Sequence, residues 1–272
     1  MINIAYSGNK KVFKGILLSC MSMIKTCKQP IKVFVMSMDL TDQDSNFEII
    51  SGEQIQLLDR VLKEVNPSSE AVIVDVGKVY RDEFLNSKNK NTEYTPYTLN
   101  RLFMDILDEM PDKVAYLDVD TMLVNDVSEL YDINMDDYEF GAALDFMGKF
   151  WISPTYTNAG VMLINVKKVR ETGMMVKCRE LIKTKWMKMP DQTAANKSVK
   201  YKKYLDGKFN EQRGIKPDTV VKHFCKGIKW TPFFHIYNVK QWEIDKVHKL
   251  GIHDFDDIYE IYLDLVKKYD FI

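Results

Sequence analysis

AYLDVDTMLV, Ala115 to Val124, places two aspartates at the end of an apolar run. A carboxylate taken out of water is costly unless it is paired or holds a cation. The run KVAYL (113–117) is short and continuous, the pattern of a strand buried on both faces. In an extended segment positions i and i+2 face the same way, so Asp118 and Asp120 point together. Either both are wet turn residues, or both share one hard divalent cation. In open α/β sheets ligands gather beyond the carboxyl ends of the strands, and these aspartates stand at such an end.

Working outward, strands and helices alternate. INIAY (2–6) reads as a strand, and Phe13, Ile16, Leu17, Cys20, Ile24 and Cys27 recur at helical spacing over 12–27. IKVFVMS (31–37) is a strand, Ile55, Leu58, Leu62 and Val65 mark a helix, and EAVIVDV (70–76) is another strand. A polar stretch from Arg81 leads to TPYTLNRLFMDILDEMP. There Thr95 caps, Pro96 starts a helix, and Leu99, Leu102, Phe103, Ile106, Leu107 and Met110 line one face. At that α-helical phase Arg101 lies opposite the apolar face, towards solvent.

Downstream, FGAALD (140–145) and NAGVMLINV (158–166) are strand-like, with a helix around 174–186 and PDQTAAN at 190–196. Residues 200–218 read as loop, TVVKHF (219–224) as a short strand, and the tail from Asp254 as an amphipathic docked helix. The alternation predicts an α/β fold with a mainly parallel, doubly covered sheet.

Charge and composition exclude several classes. With 38 basic and 39 acidic residues the chain carries no excess that favours nucleic acid or anionic lipid. No apolar run approaches bilayer length, so no transmembrane segment is expected. KKVFKGILLSC (10–20) has a lipobox-like end, but Lys14 interrupts it and a strand precedes it; the amphipathic helix is the better reading. Cys20, Cys27, Cys178 and Cys225 show no paired spacing and read as free thiols in a reducing, cytoplasmic setting. A haloacid dehalogenase-type phosphatase also begins on Asp-x-Asp. That family wants Thr or Val four residues after the first Asp, where this chain has Met122, and its motif stands near the start of the chain.

YLDVDTMLVNDVSELYD resembles the Asp-x-Asp segment of glycosyltransferase family 8, the retaining nucleotide-sugar transferases of the glycogenin and bacterial lipopolysaccharide galactosyl- and glucosyltransferase kind. The resemblance runs over roughly residues 2–230 and keeps its landmarks in order. IAYSGNKKV is similar to the first strand and uridine loop, and YTPYTLNRLF to the segment ending in Arg-Leu. GAALDF, NAGVMLINV, DQTAAN and HFCKGIKW follow. It implies a GT-A fold with a Rossmann-like sheet over 1–235, a C-terminal helical extension over 236–272, a UDP-sugar donor, and manganese (or magnesium) on the diphosphate.

By that resemblance Asp118, Asp120 and His223 are metal ligands, a set of two carboxylates and one imidazole that suits manganese. Donor contacts are implied for Ala5, Ser7, Asn9, Arg101, Val119, Asn158, Ala159, Gly227 and Lys229. Asp145, Asp191 and Gln192 are implied beside the reacting sugar. Each has an ordinary structural reading too: His223 as a strand-end histidine, Asp191 as a helix cap, Asp145 as a turn residue, Lys229 as a surface lysine. The motif departs from the family at two places. Ser7 stands where an acid is common, and Gly227 follows His223 by four residues instead of three, with no proline between Lys229 and Trp230.

The functional expectation is a retaining, manganese-dependent transferase moving glucose or galactose from UDP-glucose or UDP-galactose to a saccharide acceptor. The alternatives are a non-catalytic nucleotide-sugar binder of the same fold, favoured by the altered His223–Trp230 loop, and the phosphatase. Residues 81–95 and 200–218 are the candidate acceptor loops, on polarity and length.

Overall fold

The computed structural model of the chain describes residues 1–89, 94–229 and 235–272, apart from the side chains at 228, 229 and 235. The first half alternates as expected: β1 (Ile2–Ser7), α1 (Phe13–Thr26), β2 (Ile31–Ser37), α2 (Gly52–Val65), β3 (Glu70–Asp75), α3 (Gly77–Phe84), a 3-10 segment (Pro96–Phe103) and β4 (Lys113–Leu117). The second half is more broken. It comprises β5 (Thr121–Leu123), α4 (Ser128–Tyr131), β6 (Phe140–Leu144), α5 (Gly148–Trp151), β7 (Thr157–Asn165), α6 (Val166–Thr172), α7 (Met174–Thr184) and α8 (Pro190–Ser198). Then come β8 (Lys202–Leu205), β9 (Val221–His223), β10 (Gly227–Lys229), β11 (His235–Tyr237), α9 (Ile244–Lys249) and α10 (Asp256–Lys268).

Seven strands form the main sheet in the order β3-β2-β1-β4-β7-β6-β8. β3, β2, β1 and β4 pair in parallel. β7 alone runs against its neighbours β4 and β6, and β8 returns parallel to β6. The strands are apolar on both faces because each face is covered. Ile2, Ile4 and Tyr6 of β1 meet α1 and α2, through Ile16, Leu17, Leu58 and Leu62. The opposite face carries Phe34, Met36, Tyr116 and Met162 under Leu102, Phe103, Met174 and Ile182. From the C-terminal segment, Phe255, Ile258, Tyr259 and Tyr262 join the core shared with α1.

Three local expectations need correction. The helix expected to run on to Met110 is 3-10 over Pro96–Phe103 and gives way to turns. It is wedged between β1 and β2 on one side and α7 and α8 on the other, so Tyr97, Leu99, Asn100, Arg101, Leu102 and Phe103 are all buried. The tighter winding, three residues per turn, changes which side chains share a face. Arg101 therefore turns inwards instead of towards solvent, and is 3% exposed. Residues 200–218, read as loop, contain β8, whose place at the sheet edge satisfies its backbone despite its lysines. The polar stretch from Arg81 begins inside α3, which Tyr80 and Phe84 anchor in the core; residues 90–93 of the same stretch lie outside the described residues. No helix among the described residues is long and apolar enough to cross a membrane.

Candidate functional site

The topology brings several strand ends to one rim. β1 ends at Ser7, β4 ends just before Asp118, and β6 ends just before Asp145. Because β7 runs the other way, its first residues, Thr157 to Gly160, stand at that same rim. The first turn of α8 adds Asp191 and Gln192.

After Asp118 the chain turns sharply, with Thr121 Oγ1 donating to the Asp118 carbonyl at 2.8 Å. The short β5 then pairs antiparallel with β9, setting Thr121 opposite His223. Phe224 N donates to the Asp120 carbonyl at 2.7 Å. This small ladder carries His223 to the two aspartates. Its Nε2 lies 3.2 Å from Asp120 Oδ1 and 3.9 Å from Asp118 Oδ2. Ligand atoms of all three residues fall within 4.8 Å of one another.

The imidazole is oriented from behind. Asn210 Nδ2 donates to Asn158 Oδ1 at 2.9 Å, which leaves Asn210 Oδ1 facing His223 Nδ1 at 3.0 Å as an acceptor. With that amide assignment Nδ1 carries a proton, and Nε2 is the ring atom turned towards the aspartates, able to donate to Asp120 when protonated or to offer a lone pair when not. As a neutral ring His223 sets a nitrogen lone pair beside two carboxylates, the mixed oxygen and nitrogen set that borderline divalent cations take. The donor set therefore fits a hard or borderline divalent cation. Gly160 makes room for the ring: a Cβ there would sit 2.1 Å from His223 Cε1.

Arg101 is the centre of a second cluster. Nη2 donates to Asp118 Oδ1 at 2.7 Å, Nη1 to the Ala159 carbonyl, and Nε lies 3.3 Å from Asp191 Oδ2. Its guanidinium also stacks over Tyr116, 4.2 Å from the ring centre, while the Tyr116 hydroxyl donates to Asp118 Oδ1 at 3.0 Å. Burial opposes the Arg101 charge, yet Asp118, Tyr116 and Asp191 lift its pKa above the ordinary arginine value. Burial pushes Asp191 above the usual carboxylate range; Arg101 pulls it down, and Asp118 adds to the rise.

Asp145 organises the far side. Its Oδ2 accepts from Asn158 Nδ2 at 2.8 Å and Gln192 Nε2 at 3.1 Å, while Oδ1 caps the backbone N–H groups of Met147 and Gly148. Gln192 Oε1 accepts from Ala159 N at 3.0 Å. These bonds tie α8, β6 and β7 into one network of fixed geometry.

The remaining sequence candidates lie more loosely. Ser7 Oγ donates to the Tyr97 carbonyl at 2.6 Å, and Asn9 Nδ2 to the Asn46 carbonyl at 3.0 Å. Asn9 Oδ1 is buried close to Tyr97, with no hydrogen bond of good geometry among the described residues. Ala5 is enclosed between β2 and β4, beneath the rim. Val119 packs on the core, and its carbonyl accepts from Gln241 Nε2 at 2.6 Å. Gly227 and Lys229 belong to β10, which pairs with β11; the Lys229 side chain and Trp230 lie outside the described residues.

Sequence reasoning passed over Tyr116, Asn210, Lys240 and Gln241. Lys240 Nζ lies 2.5 Å from Asp120 Oδ2. Burial would raise the Asp120 carboxyl, but His223 and Lys240 together hold it well below the usual carboxylate range. Nothing in the local pattern around Lys240 or Asn210 signals this, because both reach the site only through tertiary contacts.

The chain is 23% identical over 210 residues to the probable galacturonosyltransferase-like 6 of Arabidopsis thaliana, covering 70% of this chain and 56% of that protein. It thus spans little more than half of that relative. Among solved structures, galactosyltransferase LgtC in complex with donor and acceptor sugar analogues superposes with a TM-score of 0.62 at 17% identity, over 94% of this chain and 99% of LgtC. The glycosyltransferase GlyE of Streptococcus pneumoniae TIGR4 gives 0.65 at 18% identity, over 99% of this chain and 66% of GlyE. These superpositions identify the fold as GT-A. The family model for glycosyl transferase family 8 matches residues 3–235, and the chain belongs to that family.

Proposed function

We propose that this chain is a metal-dependent retaining glycosyltransferase that moves glucose or galactose from a UDP-sugar to a saccharide hydroxyl. The observation that carries the reading is the meeting of Asp118, Asp120 and His223 with the Arg101–Asp191 and Asp145–Gln192 clusters at one rim. Asp118, Asp120 and His223 would hold the cation, manganese by preference. Bound there, it supplies charge neutralisation to the leaving diphosphate.

The chain's own groups divide the remaining work. Asn9, whose buried Oδ1 has no hydrogen-bond partner among the described residues, would turn to accept from the base. Arg101 acts as a positioning residue, holding Asp118 and Asp191 in place instead of reaching out as a free cation. Gln192, a neutral amide bonded at both ends, is a poor nucleophile, and both Asp145 oxygens are already hydrogen-bonded. Asp191 is held by Arg101. With no free carboxylate among these groups to form a glycosyl intermediate, front-face attack is favoured. The acceptor hydroxyl enters on the side from which UDP leaves and passes its proton to a departing phosphate oxygen. Asp191 then stabilises positive charge developing on the sugar.

A non-catalytic binder is the second reading, favoured by the displaced glycine at Gly227. UDP release from UDP-glucose, UDP-galactose and their N-acetyl forms, with and without manganese, decides between the two. Manganese-dependent release supports the transferase. A thermal shift without release supports the binder, and hydrolysis of simple phosphate esters would overturn both. The linkage of the product, read by proton NMR, should be α from an α-donor; a β product overturns retention. Gln192→Ala should slow transfer without abolishing it.

A further inference from the structure

We propose that Lys240 is the resident counter-ion of the Asp118–Asp120 centre, and that it passes from Asp120 to the diphosphate when cation and nucleotide bind. The proposal rests on the metal-dependent reading above. Lys240 Nζ lies 2.5 Å from Asp120 Oδ2 and 3.3 Å from the Phe224 carbonyl. The other Asp120 oxygen faces His223. The ammonium therefore holds one oxygen of the carboxylate whose other oxygen faces the position a cation shared with Asp118 and His223 would take. A divalent cation on that carboxylate would repel the ammonium a few ångströms away and loosen its hold on Asp120.

It cannot go far. Gln241 is fully buried, and its Nε2 donates to the Val119 carbonyl inside the Asp-x-Asp segment at 2.6 Å. Trp242 lies against Gly15 of α1, so close that a Cβ there would sit 2.6 Å from its ring and 2.4 Å from the Val119 carbonyl. Lys240 N donates to Glu243 at 2.9 Å. The backbone at 240–242 is thus stapled to the aspartates, and only the flexible stem of Lys240 can swing.

Other buried cations are already engaged. Arg101 is shared among Asp118, Asp191 and Ala159, and Lys222 donates to the carbonyls of Glu211 and Arg213. Lys240 differs because cation binding loosens its hold on its partner. A diphosphate beside the cation offers the displaced ammonium a new one. Cation and nucleotide should therefore bind cooperatively: manganese alone competes with Lys240, whereas manganese with UDP does not.

The test is titration of manganese, followed by the EPR signal of the free ion, with and without UDP. It is run on wild type, Lys240→Met, Lys240→Gln and Lys240→Arg, each checked for folding by circular dichroism and thermal melting. The two neutral variants should bind manganese alone roughly tenfold more tightly than wild type, and UDP with manganese roughly tenfold more weakly. Lys240→Arg keeps the charge and should keep cooperativity of the same sign. Unchanged manganese affinity and unchanged cooperativity in a folded neutral variant overturn the proposal while leaving the metal-dependent reading intact. Absence of manganese binding in every protein, even with UDP, overturns that reading and the proposal with it.

Discussion

The β3-β2-β1-β4 half of the sheet and the segment that closes over it from β9 onwards are built on different principles. In the parallel half β2, β1 and β4 lie between neighbours, and one face packs under α1 and α2 from nearby sequence, so the pattern of apolar residues specifies that packing. Up to Trp242, before α9 and α10, the closing segment is made of three-residue strands and turns. Its order comes from single polar contacts across long separations: His223 to Asp120, Lys240 to Asp120, Gln241 to Val119. One half supplies stability and a rigid rim. The other supplies His223 and Lys240, the groups proposed to respond to a ligand. A substitution in the first should therefore cost stability, and one in the second should cost binding.

The largest effect is expected where the halves meet. Asp120→Asn removes a charge from both His223 and Lys240 and keeps the shape. Manganese-dependent turnover should fall on the order of 10³-fold, about 4 kcal/mol, with little change in melting temperature. Retention of full turnover would dissolve the proposed centre.

Next comes the parallel half. Leu17 of α1 is fully buried in the core. Leu17→Ala should cost about 3 kcal/mol in denaturant unfolding, yet the folded fraction should bind manganese as wild type does. Loss of both together would mean that the two halves are not separable.

Gly160→Ala probes their contact directly, because the new methyl would lie 2.1 Å from His223 Cε1. The ring must move away from Asn210 or from the aspartates. Manganese affinity should drop by roughly tenfold or more, as for loss of an orienting partner, measured by calorimetry at unchanged secondary structure.

A smaller and more graded effect is expected from pH. Burial holds the Asp191 carboxyl above its ordinary value, with Arg101 opposing. Below that raised pKa the group is neutral, so turnover should rise with pH through it and reach a plateau above. Since the folded state holds this proton more tightly than the unfolded chain, Asp191 itself favours folding most at low pH, and that contribution fades as pH rises through the folded pKa. The acid limb of the kcat profile should disappear in Asp191→Asn, leaving a lower, flat rate; an unchanged limb assigns it elsewhere. The smallest effect is expected at Lys25–Asp257, an exposed pair at 2.7 Å between α1 and α10. Breaking it should change stability by less than about 1 kcal/mol and leave binding unaltered.

What could be read from the sequence follows this division. Alternating apolar strands and amphipathic helices determine the order of the first half, because burial on two faces leaves a continuous apolar signature. The same holds for the placing of Asp118 and Asp120, since a period of two and an apolar strand before them put both at one rim. A resemblance in order and spacing marks His223, Asp145, Asp191 and Gln192 as candidates; strand ends bring the first two to that rim and the first turn of α8 the other two. Tertiary structure alone decided the rest. Whether Arg101 faces solvent or Asp118 depended on α versus 3-10 winding, which packing between the sheet and α7–α8 selects. The ring nitrogen that His223 turns to the aspartates depends on Asn210, and the depressed pKa of Asp120 on His223 and Lys240. Such contacts leave no local signature: a polar side chain anchored far away in sequence looks like any surface lysine or asparagine until the chain folds it against a buried carboxylate.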